Sequence, residues 1–142
     1  MINDIEMLDY ICQNAEMGRD GIMNIIKSTD DLPLRQALEA QLTEYQQTYD
    51  AADQMLRERG KQPTSVNPMA KASSFVMSKV KTLTDNSPSQ IAEMMIQGST
   101  MGVTKITKRM NEYDGSDRRI VSLAEKQLKT EQANIEEMKK FL

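Results

Sequence analysis

The chain is 142 residues long, which is enough for a single domain over 1–142 with a sizeable core and no need of disulfide or metal cross-links. Its net charge of −3, with both signs interspersed, gives no indication of the basic surface that nucleic-acid binding requires. It has no histidine, and this excludes serine–histidine catalysis, histidine-based proton transfer and every histidine-containing metal motif.

The cysteine content and the hydropathy of the chain predict where it works. The single cysteine, Cys12, cannot form an internal disulfide, so a reducing, cytoplasmic location is expected. No stretch approaches the roughly 20 apolar residues that a membrane span needs, and no basic start leads into an apolar run. We therefore expect neither a membrane nor a nucleic acid among its partners.

The first half of the chain is predicted to form a helical hairpin. Apolar residues recur at intervals of three and four over 2–28 and again over 32–59, which is typical of two amphipathic helices. The polar residues at 28–31 supply good N-cap side chains, and Pro33 suits the first turn of the second helix. Because the turn is short, the two helices are expected to be antiparallel neighbours.

The second half repeats this pattern. A third helix is predicted over 88–112 and a fourth over 120–142, with a turn at 113–116 between them. Gly98 and Gly102 lie one turn apart within the third helix. Glycine inside a helix costs roughly 1 kcal/mol relative to alanine, so a close approach of a neighbouring backbone is the expected compensation.

The two hairpins are separated by a long connection. Residues 61–68 have the composition of a loop, and apolar residues at helical spacing predict a short helix over 67–84. A connection of this length can return the chain to its starting end, which makes the second and third helices parallel. The predicted fold is all-α, a four-helix bundle with one long crossover that contains a short extra helix.

One ionisable residue lies in the middle of a core-facing stripe. In the fourth helix the apolar residues follow one face from Ile120 to Leu142, with Glu131 at the centre and Asn134 on the flank. A carboxylate there is costly unless it is paired. We predict that Glu131 is buried against a polar partner from the first or second helix, and Arg19 is the favoured candidate because it lies on the inward stripe of the first helix.

The bundle resembles the ferritin-like family, especially its rubrerythrin-type members. Their di-iron site uses one Glu from each of two helices and a Glu-x-x-His from each of the other two. Measured from the turns, the corresponding positions of this chain fall at mid-bundle. They are Glu16, Glu44-x-x-Gln47, Gln97 and Glu131-x-x-Asn134.

The chain departs from the family pattern at three of these positions. Amides stand where the family has histidines, and Gln97 stands where it has a glutamate. The helical phase also allows Gln41-x-x-Glu44 in place of Glu44-x-x-Gln47, so the register of the second helix stays open by one turn. The resemblance therefore implies the fold, whereas ferroxidase or peroxidase activity is not expected.

Two classes of function remain open. In the first, the chain is a non-enzymatic structural or partner-binding bundle, a homodimer or bound to another protein, with no cofactor and with its carboxylates paired to Arg19 and amides. In the second, Glu16, Glu44 and Glu131 hold a weakly bound divalent metal such as manganese, iron or calcium. Ordinary roles are also possible, because Glu16 and Glu44 suit helix flanks and Arg19 can extend along its alkyl stem to the surface.

Overall fold

The computed structural model describes residues 1–64, 66–67, 79 and 85–142, and it confirms the all-α prediction for them. Four long helices are present in these residues. They are α1 (Asp4–Ile25), α2 (Leu32–Glu58), α3 (Pro88–Glu112) and α4 (Arg118–Lys139). A 3₁₀ turn over Ile26–Ser28 follows α1, and the described part of the chain contains no β-strand. The helix predicted over 67–84 lies outside the described residues except for Asn67 and Lys79.

Each helix begins at a polar side chain that caps it. Asn3, Asp31, Ser87 and Asp117 each accept a hydrogen bond from a backbone N–H in the first turn of the helix that follows. The side chain of Glu6 also accepts from the backbone of Asn3, which completes a capping box. Caps of this kind stabilise a helix by about 1 kcal/mol each, so the sequence sets these four starts locally.

The core consists of two clusters, one towards each end of the bundle. The first cluster combines the beginnings of α1 and α4 with the ends of α2 and α3, and it includes Leu8, Ile11, Leu56, Ile106 and Ile120. The second cluster combines the ends of α1 and α4 with the beginnings of α2 and α3, and it includes Ile22, Leu34, Leu38, Ile91 and Met138. The helices α2 and α3 therefore point in the same direction, opposite to α1 and α4.

The helices pack as two hairpins, α1 along α2 and α3 along α4, and α2 also contacts α4. At the end of the first cluster, the Ile2 N–H donates to the Glu112 carbonyl at 2.8 Å, and the Asp114 N–H donates to the Ile2 carbonyl at 3.0 Å. Arg59, just after α2, pairs with Asp117 and Asp4 at the starts of α4 and α1. These contacts fix the hairpins to each other at one end. None of the helices in the described ranges is long and apolar enough to cross a membrane.

Candidate functional site

A buried carboxylate lies in the middle of the bundle, between the two core clusters. Glu131 of α4 is only 2% exposed, and its Oε1 accepts a hydrogen bond of 2.6 Å from the hydroxyl of Tyr45 on α2. Tyr45 is itself 7% exposed. A short O–H···O bond to a carboxylate is among the stronger hydrogen bonds in proteins. The prediction that Glu131 is buried against a polar partner from the first or second helix is confirmed.

Two glycines leave room for this pair. A Cβ on Gly102 of α3 would lie 3.2–3.5 Å from three atoms of the Glu131 carboxyl group. A Cβ on Gly18 of α1 would lie only 2.6 Å from carbons of the Tyr45 ring, which is closer than the ring can accept without moving. The group that comes closest to Gly102 is therefore a side-chain carboxyl group, whereas a neighbouring backbone was expected there.

The surroundings of Glu131 and Tyr45 set which of the two carries the proton. Burial raises the pKa of Glu131, and the negative charge of Glu44 adds to this, while the hydroxyls of Tyr45 and of nearby Ser99 oppose the rise. Of these two hydroxyls, only that of Tyr45 has the geometry of a hydrogen bond. Burial, followed by the charge of Glu131, raises the pKa of Tyr45 well above its usual value. Tyr45 is therefore the permanent donor, and Glu131 is the group whose charge can change.

Further polar side chains continue along the interface of α2 and α4. Gln41 and Thr48 lie one turn to either side of Tyr45, and Gln127 and Asn134 lie one turn to either side of Glu131, and all four are buried. Both amide atoms of Gln41 and Gln127, and Nδ2 of Asn134, have no hydrogen-bond partner among the described residues. Because buried amides normally have partners, this row retains capacity for water or a polar ligand.

A cavity of about 350 Å³ lies between α1 and α3 and reaches the Glu131–Tyr45 pair. Buried Tyr45 and Glu131 form its floor, and exposed Met101 and Lys105 lie at its mouth. The side walls come mainly from one face of each helix. They include Tyr10, Gln13, Asn14, Met17, Met95 and Ser99. Cavities of this volume, mostly apolar with a few polar groups, are typical of sites for small organic molecules.

Tyr10 lies in the wall of the cavity, within reach of the charge of Glu131 at the floor. Burial raises the pKa of Tyr10 to about 12, against the lowering effect of Arg109, and the charge of Glu131 adds to the rise. The Arg109 guanidinium lies over the Tyr10 ring, 5.2 Å from its centre. The Tyr10 hydroxyl has no hydrogen-bond partner among the residues that the structure describes. The cavity thus contains a second phenol, whose ring is held by Arg109 and whose hydroxyl has no described hydrogen-bond partner.

The three carboxylates predicted as metal ligands do not form one metal-binding group in the described part of the chain. Glu16 and Glu131 are buried, whereas Glu44 is half-buried and lies near Lys126, whose charge lowers the pKa that burial raises. Over the described ranges, no group of three or more Asp, Glu, Cys or His side chains is placed to hold a metal ion. Gln97, predicted to lie at mid-bundle with them, is instead exposed on α3. Distance from the turns locates a residue along its helix but carries no information on the direction of its side chain.

The prediction that Arg19 pairs with Glu131 is wrong. The Arg19 guanidinium donates to Asp20 and to Gln46, both at 3.2 Å, and lies over the Tyr49 ring at 5.3 Å from its centre. Its side chain is 24% exposed, so the charge stays partly hydrated near the surface of α1 and α2. This is the alternative in which the alkyl stem leads the charge outward, and it avoids the cost of desolvating a guanidinium.

The amide predictions for α2 and α4 had mixed outcomes. Gln41 and Asn134 are buried in the row beside the Glu131–Tyr45 pair, whereas Gln47 is exposed. Of the two registers left open for α2, the one with Gln41 therefore has the inward phase. The residue that contacts Glu131 is nevertheless Tyr45, which was counted only as part of the apolar stripe.

Two further residues of this region, Ser99 and Gln127, were missed altogether. Gln127 could have been found, because it lies one turn before Glu131 on the same stripe. Ser99 had no such signal, since the hydroxyl of a single serine inside a helix often bonds to the backbone of its own helix and so does not indicate a polar site.

Comparisons of the chain with protein-family models, with curated proteins and with solved structures give no match. A helical bundle does not define an activity, because one fold serves many functions. Function is therefore inferred from the cavity and from the polar side chains at its floor.

Proposed function

We propose that the chain is a non-enzymatic, ferritin-like helical bundle, with one long crossover between α2 and α3, that acts by binding a guest in its central cavity. The observation that carries this proposal is the position of the Glu131–Tyr45 pair, which is buried at mid-bundle and forms the floor of a cavity of about 350 Å³. The common direction of α2 and α3 supports the crossover, since a connection between two parallel helices has to return to the end at which the first one began.

The chemistry of the described side chains favours binding over catalysis. Tyr45 keeps its proton, and burial raises the pKa of the Cys12 thiol to about 12, so neither is an activated nucleophile at neutral pH. The histidine ligands of the family are absent from the sequence, and among the described residues no group of three or more carboxylates is placed to hold a metal ion. Redox chemistry at two iron ions requires nitrogen ligands and clustered carboxylates, and the described residues provide neither.

The experiment that tests this proposal is an aerobic Fe²⁺ titration of the purified protein, together with its metal content. We expect iron oxidation no faster than in buffer and a metal content well below one ion per chain. The proposal would be overturned by a content of nearly two irons per chain, together with iron oxidation that is faster than in buffer and that Glu131→Gln abolishes. Glu125→Gln, which removes an exposed acid from the same helix, is the matched control.

A second candidate function is weak binding of a divalent cation such as manganese, iron or calcium. One observation favours it, because the charge of Glu44 raises the pKa of Glu131, and a cation between two carboxylates would relieve this repulsion. Calorimetric titration with Mn²⁺ and Ca²⁺ separates the candidates. Saturable binding that is lost in Glu44→Gln would favour the divalent-cation function. No saturable heat is expected if the first proposal holds.

A protein partner, either a second copy or another protein, is part of the same proposal, as is a cytoplasmic location. The protein partner is supported by three large apolar side chains that are exposed at one end of the bundle, where α1 and α4 end and α2 begins. They are Met23, Leu32 and Leu142, which are 49%, 69% and 63% exposed. Light scattering after size exclusion is expected to give more than one chain per particle. A monomer at all concentrations would remove the homodimer from the proposal.

A further inference from the structure

We propose that the cavity between α1 and α3 binds small amphipathic amines, with the ammonium group paired to Glu131 and the apolar part against the methionine-lined walls. This inference deepens the proposed function and rests on it.

The charges that face the cavity favour a cation at its floor. Among the described lining residues, the two charged ones are Glu131, which is 2% exposed, and Lys105, which is exposed at the mouth. Water and salt screen Lys105, whereas the charge of Glu131 acts in a low-dielectric interior. A carboxylate ligand would therefore be repelled at the floor.

The hydrogen bonds of Glu131 leave one buried oxygen without a donor. Oε1 accepts from Tyr45, whereas Oε2 has no hydrogen-bond partner among the described residues. A carboxylate can accept several hydrogen bonds, and an unpaired buried oxygen is costly. An ammonium group supplies a donor and also compensates the negative charge, so it gains more from this site than a neutral alcohol or amide does.

The walls suit an apolar group of variable shape. Met17 and Met95 line opposite sides, on α1 and α3, with Ile22 and the ring of Tyr10 beside them. Methionine is flexible and polarizable, so it adapts to guests of different outline. An aromatic ring at the wall also attracts a nearby cation through its face. The volume of about 350 Å³ is sufficient for a two-ring amine.

The absence of tryptophan from the chain provides a direct binding assay. Tryptamine, 3-ethylindole and indole-3-acetate share the indole ring and differ in charge. Each can be excited beyond the absorption of tyrosine, so that its fluorescence reports its own binding. We expect tryptamine to bind about tenfold more tightly than 3-ethylindole, as a charge-assisted hydrogen bond predicts, and indole-3-acetate to bind most weakly.

Two variants and a pH series assign the effect to Glu131. Glu131→Gln is expected to reduce tryptamine affinity about tenfold, to the level of 3-ethylindole, while Glu125→Gln leaves it unchanged. Burial raises the pKa of Glu131, so tryptamine affinity should fall as acidification protonates this carboxylate, whereas 3-ethylindole affinity should not change. If Glu131→Gln does not fold, as judged by circular dichroism, the order in which the unmodified chain binds the three probes still tests the proposal.

Three results would overturn the inference. They are equal affinity for tryptamine and 3-ethylindole, tighter binding of indole-3-acetate, and no saturable binding of any probe. Each of these leaves the proposal of a non-enzymatic bundle to be decided by the iron titration. Iron oxidation at Glu131 would overturn that proposal whatever the indoles do.

Discussion

Tyr45→Phe is the substitution that isolates the central hydrogen bond. It removes the hydroxyl that donates to Glu131 Oε1 at 2.6 Å, and it keeps the ring that packs against Gly18. The carboxyl group, only 2% exposed, is then left without any hydrogen bond from the described residues. Losing a buried hydrogen bond to a charged group costs about 1.5–3 kcal/mol, which corresponds to a fall in melting temperature of roughly 4 °C per kcal/mol for a chain of this size.

The assay is urea denaturation followed by circular dichroism, with Tyr10→Phe as the control. The Tyr10 hydroxyl also belongs to the cavity but has no described partner, so its removal is expected to change the free energy of unfolding by less than about 0.5 kcal/mol. The loss in Tyr45→Phe should shrink at acid pH, because a protonated Glu131 accepts a weaker hydrogen bond. Equal effects of the two substitutions would refute the assignment of Tyr45 as the main donor to Glu131.

Two further predictions concern the same pair. Glu131→Gln is expected to stabilise the protein by about 1 kcal/mol at neutral pH, because it keeps an acceptor for Tyr45 and removes a buried charge. Since the pKa of Glu131 is raised in the folded state, the unmodified chain loses stability as the pH rises through that pKa. The stabilisation by Glu131→Gln should therefore vanish at acid pH, and thermal melts of both proteins at neutral and acid pH measure this. Gly18→Ala is expected to destabilise by about 1–3 kcal/mol, because its Cβ would lie 2.6 Å from the Tyr45 ring; an unchanged urea midpoint would contradict this.

The periodicity of the sequence predicted the helices well because each helix carries its own signals. The apolar stripes and the polar residues before each first turn are local properties, and α3 begins after its cap Ser87 at the predicted Pro88. The start of α4 at Arg118, two residues before the predicted Ile120, follows from Asp117 acting as the cap.

The candidate site was predictable only where one helix alone determined it. The phase of Glu131 within α4 was enough to predict its burial. Its partner depended on which residue of another helix lies at the same height, and on how far a side chain reaches. Arg19 lies on an inward phase but extends to Asp20 and Gln46 near the surface. Tyr45, in contrast, belongs to an apolar stripe while its hydroxyl makes the polar contact.

The cavity could not be predicted from the sequence at all. It depends on the separation of α1 and α3 around Gly18 and Gly102, which is a property of packing between helices. Of the buried amides, Gln41 and Asn134 were considered from the sequence and Gln127 was missed, and the lack of hydrogen-bond partners in this row is likewise a property of the assembled bundle.

The charge of Glu131 can be followed directly by NMR titration of its side-chain carboxyl carbon, with and without tryptamine. The structure predicts a midpoint above the ordinary glutamate pKa of 4.5 in the free protein, since burial is the dominant influence. It predicts a lower midpoint with tryptamine bound, because an ammonium beside the carboxylate favours the ionised form. A midpoint at or below 4.5 in the free protein, or one that tryptamine does not move, would contradict a buried Glu131 at the floor of an amine-binding cavity.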